Sequence, residues 1–242
     1  MRAETRHQLK EDRFSKVTFQ AAENAVHWSD EHRSTLIMAA IAVVVVAAIA
    51  IGGWYHVNQQ DEKASAELST ALRAFEAPIR PAGMPPQPGT DSFASAQERA
   101  TTARKQFQAI VDKYPHTHTA DMARYFVGLA SSQLGDNAAA ETSLQQAAKS
   151  SNSDLAALGK FALASVYLAE NKSAQAVDLY NQLIAKPSLV VSKATAQFEL
   201  AALYESQQKQ DDAKKLYEQI AKDNPSTEAA SLAQRKITAL KQ

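Results

Sequence analysis

Four alanines, Ala103, Ala140, Ala176 and Ala213, recur at intervals of 37, 36 and 37 residues, and the same escort follows each. Four places on stands Phe107, Leu144, Tyr180 or Tyr217; three places further comes Ile110, Ala147, Leu183 or Ile220. Pro115 and Pro225 fall five residues later still, with Pro187 one place earlier in its own unit. Self-similarity at a period of about 34–40 residues marks a solenoid of helical hairpins, each burying its apolar face against the next. The expected fold class is therefore all-α. The small alanine permits close helix crossing, the bulky residue one turn later fills the space beside it, and proline ends the unit.

Each full unit divides into two helices. The spacing predicts 122–134 with 138–148, 155–169 with 174–185, and 190–206 with 211–222. A leading helix runs to about Tyr114, and a last helix over 228–240 closes the stack with a polar outer face. The repeat domain is thus expected over 92–242.

Upstream, the twenty residues 36–55, LIMAAIAVVVVAAIAIGGWY, carry no charge. At about 1.5 Å rise per residue they cover about 30 Å, the thickness of a bilayer's hydrocarbon core, and Trp54, Tyr55 and His56 close the run as an interfacial belt. A single transmembrane helix over 34–56 is expected, with lipid contact through 36–55. The apolar circumference argues against a buried soluble helix. Ala48-Ile49-Ala50 has the small-x-small form of a signal-peptidase site, but the region before it carries Glu4, Glu11, Asp12, Glu23, Asp30 and Glu31, unlike a short cationic leader. An uncleaved anchor is the better reading. Over flanks of 35 residues, Arg2, Arg6, Lys10, Arg13, Lys16 and Arg33 outnumber Lys63, Arg73 and Arg80, although the nearest twenty residues tie. The positive-inside bias places the N-terminus in the cytoplasm and translocates the C-terminal domain.

The remaining segments are read from composition and spacing. In the tail, 1–33, Phe14, Val17, Ala21, Ala25 and Trp28 make one helical stripe: either an amphipathic helix on the membrane surface or a tail that only samples helix. Residues 57–76 lack Gly and Pro and read as a helical stalk. Over 77–91, Pro78, Pro81, Pro85, Pro86 and Pro88 crowd with Gly83 and Gly89 into a linker or loop.

Composition removes several function classes. Lys plus Arg equals Asp plus Glu at 26 each, so no global field draws nucleic acid. Cysteine is absent, which excludes disulfides, thiolate ligands and a cysteine nucleophile. No phosphate-cradling glycine loop, H-E-x-x-H or G-x-S-x-G occurs. His116, His118 and Asp121 offer three donors to a metal, but a structural zinc needs four, and Thr117 or Thr119 more simply caps the next helix. Asp61-Glu62 and Asp211-Asp212 read as solvated charge. The chain is expected to be no enzyme and to hold no cofactor or metal.

The repeated residues resemble the tetratricopeptide repeat. Val127-Gly128, Leu163-Ala164 and Leu200-Ala201 take the family's Leu-Gly position; Ser131, Tyr167 and Tyr204 take its later tyrosine; Ala140, Ala176 and Ala213 take its signature alanine. The whole layout is similar to the ancillary SecYEG translocon subunit (YfgM-like) family. That resemblance implies a bacterial inner-membrane protein with a cytosolic tail and a periplasmic repeat domain, whose partners are other proteins: translocon components, periplasmic chaperones or their clients.

In such solenoids the inner helices line a groove. On the repeat alignment Tyr125, Phe161 and Phe198 share one inner-helix position, with Leu129 and Leu168 on neighbouring faces. An aromatic ladder suits an apolar or helical peptide. It does not suit a terminal carboxylate, because the family's first clamp lysine belongs at this position. Aromatics at helical spacing are equally packing residues, and the chain's own stalk or Pro-rich loop could cover the groove. Two functions follow: a membrane-anchored scaffold that captures polypeptide segments, or an assembly scaffold for an envelope or division complex, acting through convex faces or self-association.

Overall fold

A computed structural model describes residues 32–85 and 91–240. The stripe from Phe14 to Trp28 lies outside the described residues. Among the described residues nine α-helices follow in order: α1 Arg33–Glu76, α2 Ala96–Lys113, α3 His118–Gln133, α4 Asn137–Ala147, α5 Ser153–Ala169, α6 Ser173–Ala185, α7 Lys193–Ser206, α8 Gln210–Asp223 and α9 Glu228–Ala239. The all-α fold is as expected. The chain divides into two compact units, Met1–His56 and Val57–Gln242.

In the first unit the apolar run of α1 is long and apolar enough to span a membrane, and none of that stretch is buried by the described residues. Val43, Ile49 and Trp54 each leave more than two thirds of their surface uncovered. The run is apolar on every side of the helix, with no polar face.

In the second unit, Ala103, Ala140, Ala176 and Ala213 are each fully buried, as are Phe107, Leu144 and Tyr217 one turn on. The residues around them form three buried cores that run along the stack. The hairpin turns repeat as well. Gly135, Asn171 and Gln208 occupy one register position, all with positive φ. The next amide reaches back across each helix end: Asp136 N to Ser131 O, Lys172 N to Tyr167 O and Lys209 N to Tyr204 O, at 2.8–2.9 Å. This satisfies carbonyls that the helix end would otherwise leave without a partner.

Helix starts follow their caps. Ser95, Thr117, Asp136, Asn152, Ser192 and Thr227 each accept an amide hydrogen of the following first turn. The Thr117 cap begins α3 at His118, four residues before the expected start. A turn in which Ser188 N donates to Val191 O delays α7 to Lys193, three residues after the expected start.

The structure differs most from expectation at 57–76 and 77–91. The expected stalk buries Ala64, Leu68 and Ala71 in the same core as Phe107, Ile110 and Tyr114. Its polar residues are engaged too. Glu67 accepts from Lys113 Nζ and Tyr114 Oη, and Asp61 accepts the backbone amide of Thr119 at 2.9 Å. Asp61, expected as solvated charge, therefore helps cap α3. The physical reason is that α2 carries an apolar stripe of its own, and the last turns of α1 supply the partner it must bury against. The proline segment closes this hairpin rather than spacing it. Phe93 N donates to Pro78 O and Arg80 N donates to Phe93 O, while the Arg99 guanidinium donates to Ala77 O. Residues 86–90 lie outside the described residues.

One close approach was invisible in the sequence. A Cβ on Gly159 of α5 would stand 2.6 Å from Ala148 N and 2.9 Å from Ala147 C, both backbone atoms at the end of α4. At Gly128 of α3 the obstacle is instead the Leu144 side chain, at 2.5 Å. Backbone cannot rotate away as a side chain can. Gly159→Ala is expected to destabilise the second unit by about 1–3 kcal/mol despite alanine's better helix propensity. Gly128→Ala should cost less, and chemical denaturation of the two variants checks the order.

Candidate functional site

The inner-helix residues singled out from sequence lie in the described structure and are half-buried. Tyr125, Phe161 and Leu168 pack on one shared core, Phe198 packs on the next, and Leu129 is also partly covered. The rings do not touch one another along the ladder. Each instead meets a neighbour within its own hairpin or helix: Phe161 lies edge-on to Tyr180 at 6.1 Å, Phe198 lies tilted on Tyr217 at 5.8 Å, and Tyr125 lies edge-on to Phe126 at 5.2 Å. One side of each ring therefore serves packing, and the uncovered remainder is what an apolar segment could meet.

Phe126 was missed by reading the ladder position alone. Its ring stacks on Phe107 at 5.0 Å and meets Phe75 edge-on at 5.7 Å, drawing α1, α2 and α3 together. Met122, one turn before Phe126, remains 40 % exposed. Further along, Leu168 faces Glu199, Ala202 and Leu203 across a cleft of about 360 Å³ between α5 and α7. Ala202 follows Phe198 by four places, a helical spacing that could have identified it; Glu199, one place on, carries no such signal.

Charge ties neighbouring helices at their edges. Glu141 of α4 receives Lys172 Nζ at 2.8 Å, and the Tyr167 hydroxyl and Gln145 amide converge on the same carboxylate. The Lys172 hydrogen bond holds the Glu141 carboxyl below the usual carboxylate range, and Glu141 in turn raises Lys172. Glu67 is lowered by the Lys113 hydrogen bond and then by Tyr114. Burial pushes Tyr180 up to about 12, and burial followed by the Glu205 hydrogen bond raises Tyr217. These shifts belong to structural contacts. Asp121, the carboxylate near His116 and His118, gives its oxygens to Arg124 at 2.6 Å and Ser150 at 2.9 Å. Among the described residues no group of three or more acidic or imidazole side chains converges as a metal site would.

A family model described as a tetratricopeptide repeat-like domain matches residues 27–242, the apolar segment as well as the helical stack. No curated protein and no solved structure matches the chain.

The carboxylate contacts fix a pH dependence. A folded-state pKa held below the unfolded value contributes stability above the unfolded pKa, and that contribution is lost as pH falls through the depressed one. The second unit should therefore lose stability as pH falls through and below the ordinary glutamate range. Glu67 and Glu141 are partly solvated, so each contributes modestly. Thermal melts should show Glu67→Gln and Glu141→Gln each lowering Tm at pH 7, by on the order of a degree or two. Each variant should also flatten the acid loss.

Proposed function

We propose, from the chain's membership of the tetratricopeptide repeat-like family, that its helical stack is a scaffold whose inner helices hold segments of other polypeptides. Such repeats are protein-interaction modules. The observation that carries the inner-helix reading is the half-covered apolar row of Met122, Tyr125, Leu129, Phe161, Leu168 and Phe198, whose rings each keep surface beyond what their hairpin uses. A row of apolar anchors on parallel helices suits a helical or extended apolar segment.

The apolar run of α1 anchors the scaffold in a membrane in this reading. It is long enough to span, it is apolar all round, and none of the described residues buries it. The positive charge bias before it supports a cytoplasmic N-terminus and a translocated stack. The resemblance to the translocon-associated family extends the proposal to a bacterial inner membrane, a periplasmic location, and a role in secretion or chaperone handover.

Photocrosslinking in intact cells tests the groove. A benzophenone amino acid at Phe161 or Phe198 should yield adducts with other proteins, and the same probe at exposed Lys215 on α8 should not. Phe161→Ala combined with Phe198→Ala should remove adducts formed from Leu168. Adducts confined to Lys215 would favour the assembly scaffold acting through its outer faces. Protease protection of spheroplasts carrying tags at both ends tests the orientation: a C-terminal tag sheltered from external protease contradicts the periplasmic placement.

A further inference from the structure

One register position of the inner helices is filled in two repeats and left small in a third. Tyr167 and Tyr204 stand nine residues before Ala176 and Ala213; Ser131 stands nine before Ala140. At Tyr167 the ring is nearly buried and reaches the preceding outer helix, α4. There its hydroxyl contacts Glu141 at 3.3 Å and receives the Gln145 amide at 3.2 Å, while Lys172 lies over the ring at 5.5 Å. Tyr204 likewise joins two cores, with Lys209 over its ring at 5.6 Å.

The surroundings of Ser131 reproduce that seat without the ring. Arg104 and Gln108 of α2 occupy the register positions of Glu141 and Gln145, and Asp136 occupies that of Lys172. The lysine–glutamate clasp above Tyr167 returns with its charges exchanged, as Arg104 Nη1 to Asp136 Oδ2 at 2.9 Å. Beneath it a cleft of about 970 Å³ opens between α2 and α4, with Val127 and Ser131 on its floor and Thr142 on its wall. The Ser131 hydroxyl is fully buried there and has no hydrogen-bond partner. A buried hydroxyl without a partner is costly, and few persist in folded proteins.

We propose that this cleft is a docking site for an aromatic side chain, tyrosine above all, presented by a different polypeptide. The chain fixes the occupant's chemistry itself, because a tyrosine fills the matching space in both later repeats. Ser131 supplies the free hydroxyl, Arg104 a donor for the phenol oxygen, and Val127 with Ala109 and Ala139 the apolar walls. A second copy is the weaker occupant. All seven tyrosines lie among the described residues, and the exposed one is Tyr55, in the apolar run of α1. The site opens between the outer helices α2 and α4 over a floor from α3, and it does not use the row of Tyr125, Phe161 and Phe198.

The full chain in lipid nanodiscs, titrated with N-acetyl-tyrosinamide and followed by saturation-transfer NMR, tests this. Binding should occur in the millimolar range, exceed that of N-acetyl-leucinamide, and weaken in Ser131→Ala. Ser131→Tyr supplies the missing ring from inside; it should raise Tm and weaken probe binding about tenfold or more. Thr142→Trp obstructs the mouth from an exposed position and should also weaken binding, so the outcome does not rest on one variant's folding. Equal binding of the two amides, absence of binding at millimolar probe, or binding unchanged in both obstructing variants would overturn the proposal. A dimer seen by light scattering and lost in Ser131→Tyr would overturn the assignment to a different polypeptide.

Discussion

The fold rests on methyl-sized contacts at four crossings. Ala103, Ala140, Ala176 and Ala213 are wholly buried because an inner helix lies against each of them, and a larger side chain would drive the pair apart. Close approach at the alanine places the residue one turn later, Phe107, Leu144, Tyr180 or Tyr217, in the wedge beside the crossing. The same closeness appears as Gly159 against the α4 backbone, where even a methyl group does not fit. Once one such hairpin exists, its outer surface is apolar and needs the next. Stability therefore accumulates by stacking rather than around one centre.

The same requirement assigns a partner to α2. Its stripe of Ala103, Phe107 and Ile110 matches those of the later outer helices, so it too must be covered on one side. Ala64, Leu68 and Ala71 of α1 cover it. Chemistry specific to this chain then appears where a unit departs from its siblings. Tyrosine fills the seam between hairpins at positions 167 and 204, whereas serine at 131 leaves it open; the salt bridge above that seam keeps its place but reverses its charges.

Much of this was legible in the sequence, and particular residues show why the rest was not. The alanine period, the prolines and the capping Thr117 are local signals, and they located most helices to within a few residues. The role of 57–76 was not local. Nothing in its Ala- and Glu-rich composition separates a free helix from half of a hairpin, and the bonds from Pro78 and Arg80 to Phe93 that close the proline loop follow no repeating pattern. The ladder of Tyr125, Phe161 and Phe198 was legible as a position. How much of each ring its own hairpin covers depends on Tyr180, Tyr217 and Phe126, which only the packing reveals. The cleft at Ser131 was half-legible: the alignment exposes the substitution, and the buried unpartnered hydroxyl gives it consequence.

Hydrogen exchange on the full chain, comparing native protein with Phe107→Ala, addresses most directly whether the stack begins inside α1. If residues 64–76 form the first hairpin with α2, their amides should be protected as strongly as those of α2. They should also accelerate together with α2 when the Phe107 ring is removed. Residues 64–76 that exchange at an unchanged rate while α2 loosens would contradict that arrangement.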